Sequence, residues 1–349
     1  MMDTAHFSGR QQRIEPDFTR FIKAVRRGQP DRVPLAELYV EQNVQELFLG
    51  RKIVSPQDTV DFWVNAGYDY VSIRLPYPLS PRAIGEKRGD RHWAPESQGL
   101  IRSKTDLQLL DIPLDFDYSS FIDTARCLPG SMKIVARGGD IFTLTWSLLG
   151  FESFARLIYE DSDFVEAVLE KVARIILGAF EKVLDCQALG ALWYTDDLAY
   201  AEGLLVSPSF YRKYLFPKVA EIGQMAKKKN LCFLYHTDGR IWEVVEDIIN
   251  CGVECIHPIE PKAMDALEFK KKFGARVSIA GAIELDTLVR GTPGEVSRLV
   301  RWQMERLSQG GGYLAGSSNS IASFVPVENY IAMLETVREY GTYHNSQST

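Results

Sequence analysis

A histidine and an aspartate, His236 and Asp238, stand two residues apart directly after the apolar run Leu231–Tyr235. An imidazole nitrogen and a carboxylate oxygen at this spacing can share a divalent cation or relay a proton. The structural alternative is that Asp238 caps a helix starting near Ile241 while His236 is a satisfied buried group. A second pair, Asp196-Asp197, follows the run Ala191–Thr195. Adjacent residues need not face the same way, so the pair is not expected to share a proton. One carboxylate is expected to serve chemistry and the other to cap a helix or pair with a base. Glu260 follows His257-Pro258-Ile259 and can act as a metal ligand or an acid, or simply be a solvated loop carboxylate. Arg74 and Arg137 can grip a substrate carboxylate through paired hydrogen bonds, or serve as structural ion-pair partners. The candidate catalytic set is therefore Asp196, Asp197, His236 and Glu260, and the candidate metal set His236, Asp238 and Glu260. Tyr39, Arg74, Arg137, Trp146, Tyr194, Ser318 and Asn319 are the candidate substrate-binding residues.

These residues need elements that bring them to one end. Eight short β-rich runs are present: 33–39, 68–74, 132–137, 191–195, 231–236, 254–259, 277–281 and 312–316. Helical spacing fills segments between them, as in 164–181, 211–228, 241–249, 293–307 and 327–340. Strand alternating with helix predicts an α/β fold with a parallel sheet, and nearly continuous apolar runs suit strands covered on both faces. Eight such strands predict a (β/α)8 TIM barrel, whose chemistry sits at the carboxyl ends of the strands. An open doubly wound sheet usually carries a glycine-rich phosphate turn after its first strand. Here that strand runs into Glu41-Gln42-Asn43. The chain is read as a single domain, 1–349. Residues 76–113 hold five prolines and are read as an insertion after the second strand, over the barrel mouth. The polar tail Tyr343–Thr349 is expected to fray.

Composition narrows the function classes. With 46% hydrophobic and 25% charged residues the chain can build a core. A net charge of −6 argues against a nucleic-acid partner. No apolar run approaches the roughly 20 residues of a membrane span, and the stretch up to Phe18 lacks the apolar core of a secretory signal. A cytoplasmic location is expected. The five cysteines include no Cys-x-x-Cys pair, and most fall in apolar runs, so they are read as small buried hydrophobes.

Longer motifs carry a resemblance. Asp196-Asp197 with Ser207-Pro208, Tyr211-Arg212-Lys213-Tyr214 and Pro217 resembles the fourth-strand signature of the uroporphyrinogen decarboxylase superfamily. His236-Thr237-Asp238-Gly239, His257-Pro258-Ile259-Glu260-Pro261, Gly281-Ala282-Ile283 and the ending from Gly310 through Val325-Pro326-Val327-Glu328-Asn329 to Gly341 resemble it too. The match is strongest from Leu192 onward and implies the barrel fold. The superfamily's true decarboxylases carry an early arginine-rich element that grips substrate carboxylates. Here Leu35-Ala36-Glu37-Leu38-Tyr39-Val40-Glu41 has no arginine and two glutamates, a wall expected to repel a polycarboxylate.

The resemblance therefore leans to the branch of corrinoid-dependent methyltransferases. Its thiol-specific members hold zinc through His-x-Cys and a later cysteine. Asp238 replaces the first cysteine, and Ser317 or Ser318 stands at the second. Zinc held by His236, Asp238 and Glu260 would form a harder site, suited to an ether or alcohol oxygen rather than a thiol. The implied function is methyl transfer between a small methylated, possibly methoxylated, substrate and a corrinoid carried by a partner protein. The rivals are a cofactor-free decarboxylase of tetrapyrrole biosynthesis and a non-catalytic barrel that binds a corrinoid or small ligand.

Overall fold

The computed structural model of the chain describes residues 14–79, 86–88, 91–93 and 99–343. Its strands are β1 (Tyr70–Arg74), β2 (Glu86–Arg88), β3 (Arg91–Trp93), β4 (Lys133–Gly139), β5 (Leu189–Thr195), β6 (Ala199–Tyr200), β7 (Gly203–Leu204), β8 (Cys232–His236), β9 (Cys255–His257), β10 (Ser278–Ile283) and β11 (Tyr313–Ser317). The helices begin with α1 (Phe18–Val25), α2 (Gln42–Leu49), α3 (Pro56–Ala66) and α4 (Ser119–Cys127). They continue with α5 (Ile141–Leu149), α6 (Phe151–Glu160), α7 (Ser162–Val183), α8 (Phe216–Lys228) and α9 (Val245–Asn250). The last are α10 (Ala266–Phe273), α11 (Leu285–Arg290), α12 (Pro293–Leu307) and α13 (Val327–Tyr340). The larger sheet has seven strands, β1, β4, β5 and β8 to β11, while β2–β3 and β6–β7 form small two-stranded sheets. This is an α/β fold with a parallel sheet.

The chain divides into two compact units. The first comprises residues up to Ile73, Ser119–Val135 and Glu254 onward; the second comprises Arg74–Tyr118 and Ala136–Val253. In the first unit β10 pairs in parallel with β9 and with β11. Every residue of β10 and β11 is buried, as in strands covered on both faces. In the second unit β5 and β8 pair in parallel, Thr195 opposite His236.

The first expected strand, 33–39, does not form a regular ladder. Leu35 makes only an isolated parallel bridge to Ala315, through bonds from Ala36 N to Ala315 O and from Ala315 N to Pro34 O. At Glu37 and Leu38 the backbone is bonded by side chains instead, before a second isolated bridge, Val40 to Ile321, with Ile321 N donating to Tyr39 O. The Glu37 N–H donates to the Tyr70 hydroxyl, which donates back to Glu37 O, and Ser72 Oγ donates to Leu38 O. Among the described residues the larger sheet thus has seven strands where the sequence predicts eight. The sixth expected strand is also shorter, because Pro258 has no N–H to continue β9.

Within the expected insertion the described residues form the β2–β3 hairpin and a 3-10 helix, Lys104–Leu110. Residues 80–85, 89–90 and 94–98 lie outside the described residues, as do 344–349 of the expected frayed tail. Cys232, Cys251 and Cys255 are buried, while Cys127 and Cys186 are partly exposed. No single helix among the described residues is long and apolar enough to cross a membrane. Helices α5 and α6 pass that test only as a pair, bent by 97°.

Candidate functional site

The parallel pairing of β5 and β8 sets two chain exits side by side. The Asp196 N–H donates to His236 O at 2.9 Å, carrying the ladder one step past the strands. The loop after Asp197 is then held at Leu198, whose N–H donates to Thr237 Oγ1 at 3.0 Å. The Leu198 carbonyl accepts from the Tyr211 hydroxyl at 2.6 Å. The Asp238 N–H donates to Asp197 Oδ1 at 3.2 Å, which orients that carboxylate. Gly239 follows with φ +83°, and a Cβ there would lie 2.6 Å from the Ala199 carbonyl carbon. Only glycine lets the two loops pack at that distance.

The adjacent carboxylates separate as their alternation requires. Asp196 is buried and accepts four hydrogen bonds: Phe142 N at 2.7 Å, Thr143 N at 2.9 Å, Thr143 Oγ1 at 2.8 Å and the Tyr194 hydroxyl at 2.7 Å. It thereby caps the amino terminus of α5 from a different strand. Burial raises its pKa to about 7, against those four bonds. Tyr194 is wholly buried behind it, its ring 5.1 Å from that of Tyr235. The sequence places Asp196 among catalytic residues and Tyr194 against substrate; in the structure their polar atoms are occupied by each other and by α5.

Asp197 turns the other way. Its Oδ1 lies 3.7 Å from His236 Nε2, and Asp238 Oδ1 lies 3.8 Å from the same nitrogen. One ligand atom from each of Asp197, His236 and Asp238 falls within 4.8 Å of the others. Burial lowers the imidazole pKa, opposed by the Asp197 charge, so the ring is neutral and its lone pair available. Ligands about 2.0–2.2 Å from a first-row divalent cation lie roughly 3.0–3.6 Å apart. The two separations from His236 Nε2 exceed that range by a few tenths of an ångström, and the widest in the cluster, at most 4.8 Å, closes with a movement of about an ångström. One imidazole with two carboxylates suits zinc, iron or manganese better than a thiophilic ion. The residues present therefore fit a divalent cation.

Asp140, beyond the end of β4, is legible in the sequence as the polar end of the third expected strand but stands outside the candidate set. It occupies the N-cap position of α5 yet makes no capping bond of its own, because Asp196 does that work. Its backbone is left-handed, φ 66°, an uncommon conformation for a non-glycine residue. Its Oδ1 accepts from Thr195 Oγ1 at 3.3 Å. Burial, then the charges of Asp196 and Asp197, raise its pKa well above the usual range, with Arg74 opposing. The signal for it in the sequence is Gly138-Gly139 before an acid. A Cβ at Gly139 would lie 2.2 Å from Thr195 O, so side-chain-free backbone lets β4 meet β5 closely.

The remaining candidates in the second unit are more peripheral. Arg74 is exposed, donates to Leu79 O at 2.9 Å and lies over the Tyr77 ring at 5.3 Å. Tyr77 donates to Gly139 O and accepts from Gly139 N, so this arginine flanks the turn that carries Asp140. Arg137 is half-buried within β4. Trp146, half-buried on α5, meets Phe151 edge-on at 5.6 Å, and its buried Nε1 has no hydrogen-bond partner among the described residues.

Tyr39, Glu260, Ser318 and Asn319 belong to the first unit. Tyr39, Glu260 and Asn319 are half-buried there. Ser318 Oγ accepts from Leu285 N at 3.1 Å, at the start of α11. Ser317 donates to Glu37 through its N–H at 2.6 Å and its hydroxyl at 2.7 Å. Neither serine offers an idle oxygen to a metal. Asp197, not Glu260, completes the cluster that the geometry assembles around His236 and Asp238. Glu37 is wholly buried, and burial raises its pKa to about 8. It is neutral near pH 7, so the electrostatic wall expected of Glu37 and Glu41 loses one of its two charges.

Comparison with known proteins follows the same lines. Residues 88–340 match the family profile described as uroporphyrinogen decarboxylase (URO-D). A uroporphyrinogen decarboxylase of Coxiella burnetii is 21% identical over 280 residues, 74% of each chain. One from Actinobacillus succinogenes is 24% identical over 230 residues, 63% of this chain and 62% of that one. A solved methyltransferase from Methanosarcina mazei superposes with a TM-score of 0.68, covering 92% of this chain and 98% of its own at 18% identity, a likeness of fold.

Proposed function

The chain belongs to the uroporphyrinogen decarboxylase family, and within it we propose a methyltransferase that moves a methyl group between a small methylated, oxygen-bearing substrate and a corrinoid carried by a partner protein. The observation that carries this reading is the Asp197–His236–Asp238 cluster at the ends of β5 and β8. Decarboxylation without a cofactor has no use for a metal-grade ligand set, whereas demethylation of an ether or alcohol does. A divalent cation, zinc being the first candidate, would supply Lewis acidity toward a substrate oxygen when bound.

The chain's own residues supply the rest. His236 presents a neutral nitrogen because it is buried, and Asp238 N–H fixes the orientation of Asp197. Asp140, which keeps its proton more tightly than an ordinary aspartate, is an acid available for the oxygen that loses its methyl group. Arg74 and the exposed edge of Trp146 are candidate contacts for the body of the substrate. The fold shared with a Methanosarcina methyltransferase supports the reading. The rival is decarboxylation, the activity named for the curated relatives. Against it stands the absence of arginine from residues 35–41.

The test is direct. Protein stripped with a chelator and reloaded with zinc, iron or manganese is incubated with a methoxyarene and reduced corrinoid protein, and the absorbance of methylcorrinoid is followed. Methyl transfer that needs the metal and falls at least a hundredfold in His236→Ala is expected. Carbon dioxide release from uroporphyrinogen by the metal-free chain at an undiminished rate would establish the rival instead.

A further inference from the structure

A cleft in the first unit gathers three arginines, Arg20, Arg32 and Arg338, none of which belongs to the candidate site. Arg20 is already neutralised. Its Nε and Nη2 donate to the two Asp31 oxygens at 2.8 and 3.1 Å, and its Nη1 donates to buried Asp69 at 2.5 Å. Of these acids only Asp69 lines the cleft, and Arg20 engages both. No carboxylate among the described residues stands within ion-pair distance of Arg32 or Arg338. Each is half-buried, and burial weakens the hold of each on its proton; at Arg32 the charges of Arg20 and Arg338 add to that effect, while those of Asp31 and Asp69 oppose it. The nearest relief for Arg338 is Glu335, which is exposed to water one turn earlier on α13.

Part of this arrangement is structural. Arg32 Nη2 donates to the Arg338 carbonyl and so closes the last turn of α13. That bond uses one of the five donors of one guanidinium. It does not involve the Arg338 side chain, which lies over Gly67, where even an added Cβ would come no nearer than 3.8 Å. Two cations brought together partly out of water are costly unless they are fully neutralised, and at Arg32 the charges of Asp31 and Asp69, already engaged by Arg20, oppose that cost only in part. The cleft holds about 290 Å³ of empty space, including its open mouth, and its floor has room for one water-sized sphere. Leu334 forms part of the apolar wall.

We propose that Arg32 and Arg338 form a binding site for a small oxyanion, which enters the cleft with one oxygen at its floor and bonds the fork-shaped donors of both side chains. The site lies beside the start of the bridge-forming segment at Leu35 and the end of α13. An anion there ties the two together and stabilises the first unit. This inference is independent of the methyltransferase reading, and neither falls with the other.

The test uses the full chain, with inorganic phosphate as probe at constant ionic strength set by chloride. Phosphate is expected to bind at one equivalent per chain by titration calorimetry. It is expected to raise Tm saturably, by about 3 °C at a hundredfold excess over Kd. Arg338→Gln keeps the backbone carbonyl that Arg32 caps and removes one of the two cations, so its Tm without phosphate is expected to equal or exceed that of the parent while its Kd weakens at least tenfold. Should Arg338→Gln fail to fold, Arg338→Lys retains the charge but not the fork, and a Kd weakened several-fold is expected. Acetate in a parallel titration tests carboxylates; saturable binding of either oxyanion supports the site. Binding of neither to the parent chain, or a shift that never saturates and persists equally in the variant, overturns it.

Discussion

Asp196 and Asp197 are chemically identical neighbours, and alternation along the chain gives them separate work. Asp196 fills its acceptor sites with the first turn of α5 and the Tyr194 hydroxyl. Asp197, 49% exposed, faces His236. Replacing each with asparagine therefore has opposite outcomes. Asp196→Asn offers one oxygen to donors that now share two, and its amide N–H groups confront backbone N–H groups. A loss of about 2–4 kcal/mol is expected in chemical denaturation. Asp197→Asn is expected to leave the stability of the metal-free chain within about 0.5 kcal/mol, while metal affinity falls at least tenfold. If Asp197→Asn melts the protein and Asp196→Asn only weakens the metal, the two roles are assigned backwards.

At the scale of elements, the ligands depend on two short loops packed through Gly239. Alanine there would have to adopt φ +83° and press a methyl group to 2.6 Å from the Ala199 backbone. Gly239→Ala is expected to cost about 1–3 kcal/mol and to weaken metal binding by displacing Asp238, as calorimetry would show. The strands and helices that hold these loops are largely legible in the sequence. Helices 293–307 and 327–340 match their expected bounds, the first because Thr292, Pro293 and Glu295 write a capping box around its start. The expected strand at 33–39 is broken in its middle, because the backbone groups of Glu37 and Leu38 bond to the side chains of Tyr70 and Ser72, over 30 positions away. The ligand pair His236 and Asp238 is readable from local spacing alone. That Asp197 joins them follows from the register of β5 against β8, which the sequence does not print. The part Asp140 plays is hidden for a related reason: its side chain is released only because Asp196 caps the helix in its place. Glu260 entered the expected ligand set from its position after a strand, information too coarse to say which loops converge.

For the molecule as a whole, the buried acid Glu37 sets a dependence of stability on pH. Its pKa is raised from 4.5 to about 8 by burial, against the two bonds from Ser317. The folded chain then holds a proton that the unfolded chain releases, so unfolding sheds protons over this range and stability falls as pH rises. The contribution is fully present below about pH 4.5 and is lost by pH 8–9, a change on the order of a few kcal/mol. Urea midpoints measured between pH 5 and 9 are expected to decline, and Glu37→Gln, which stays neutral, is expected to flatten that decline. A parent chain that gains stability across this range would mean that Glu37 is ionised in the fold.

The tethering of Leu198 has a kinetic corollary. With its amide held by Thr237 and its carbonyl by Tyr211, the stretch between the ligand-bearing strands behaves as a fixed jig, and little chain entropy remains to be lost when an ion arrives. Cation loading should then be a single bimolecular phase, linear in ion concentration and paced by how fast each metal sheds its hydration water.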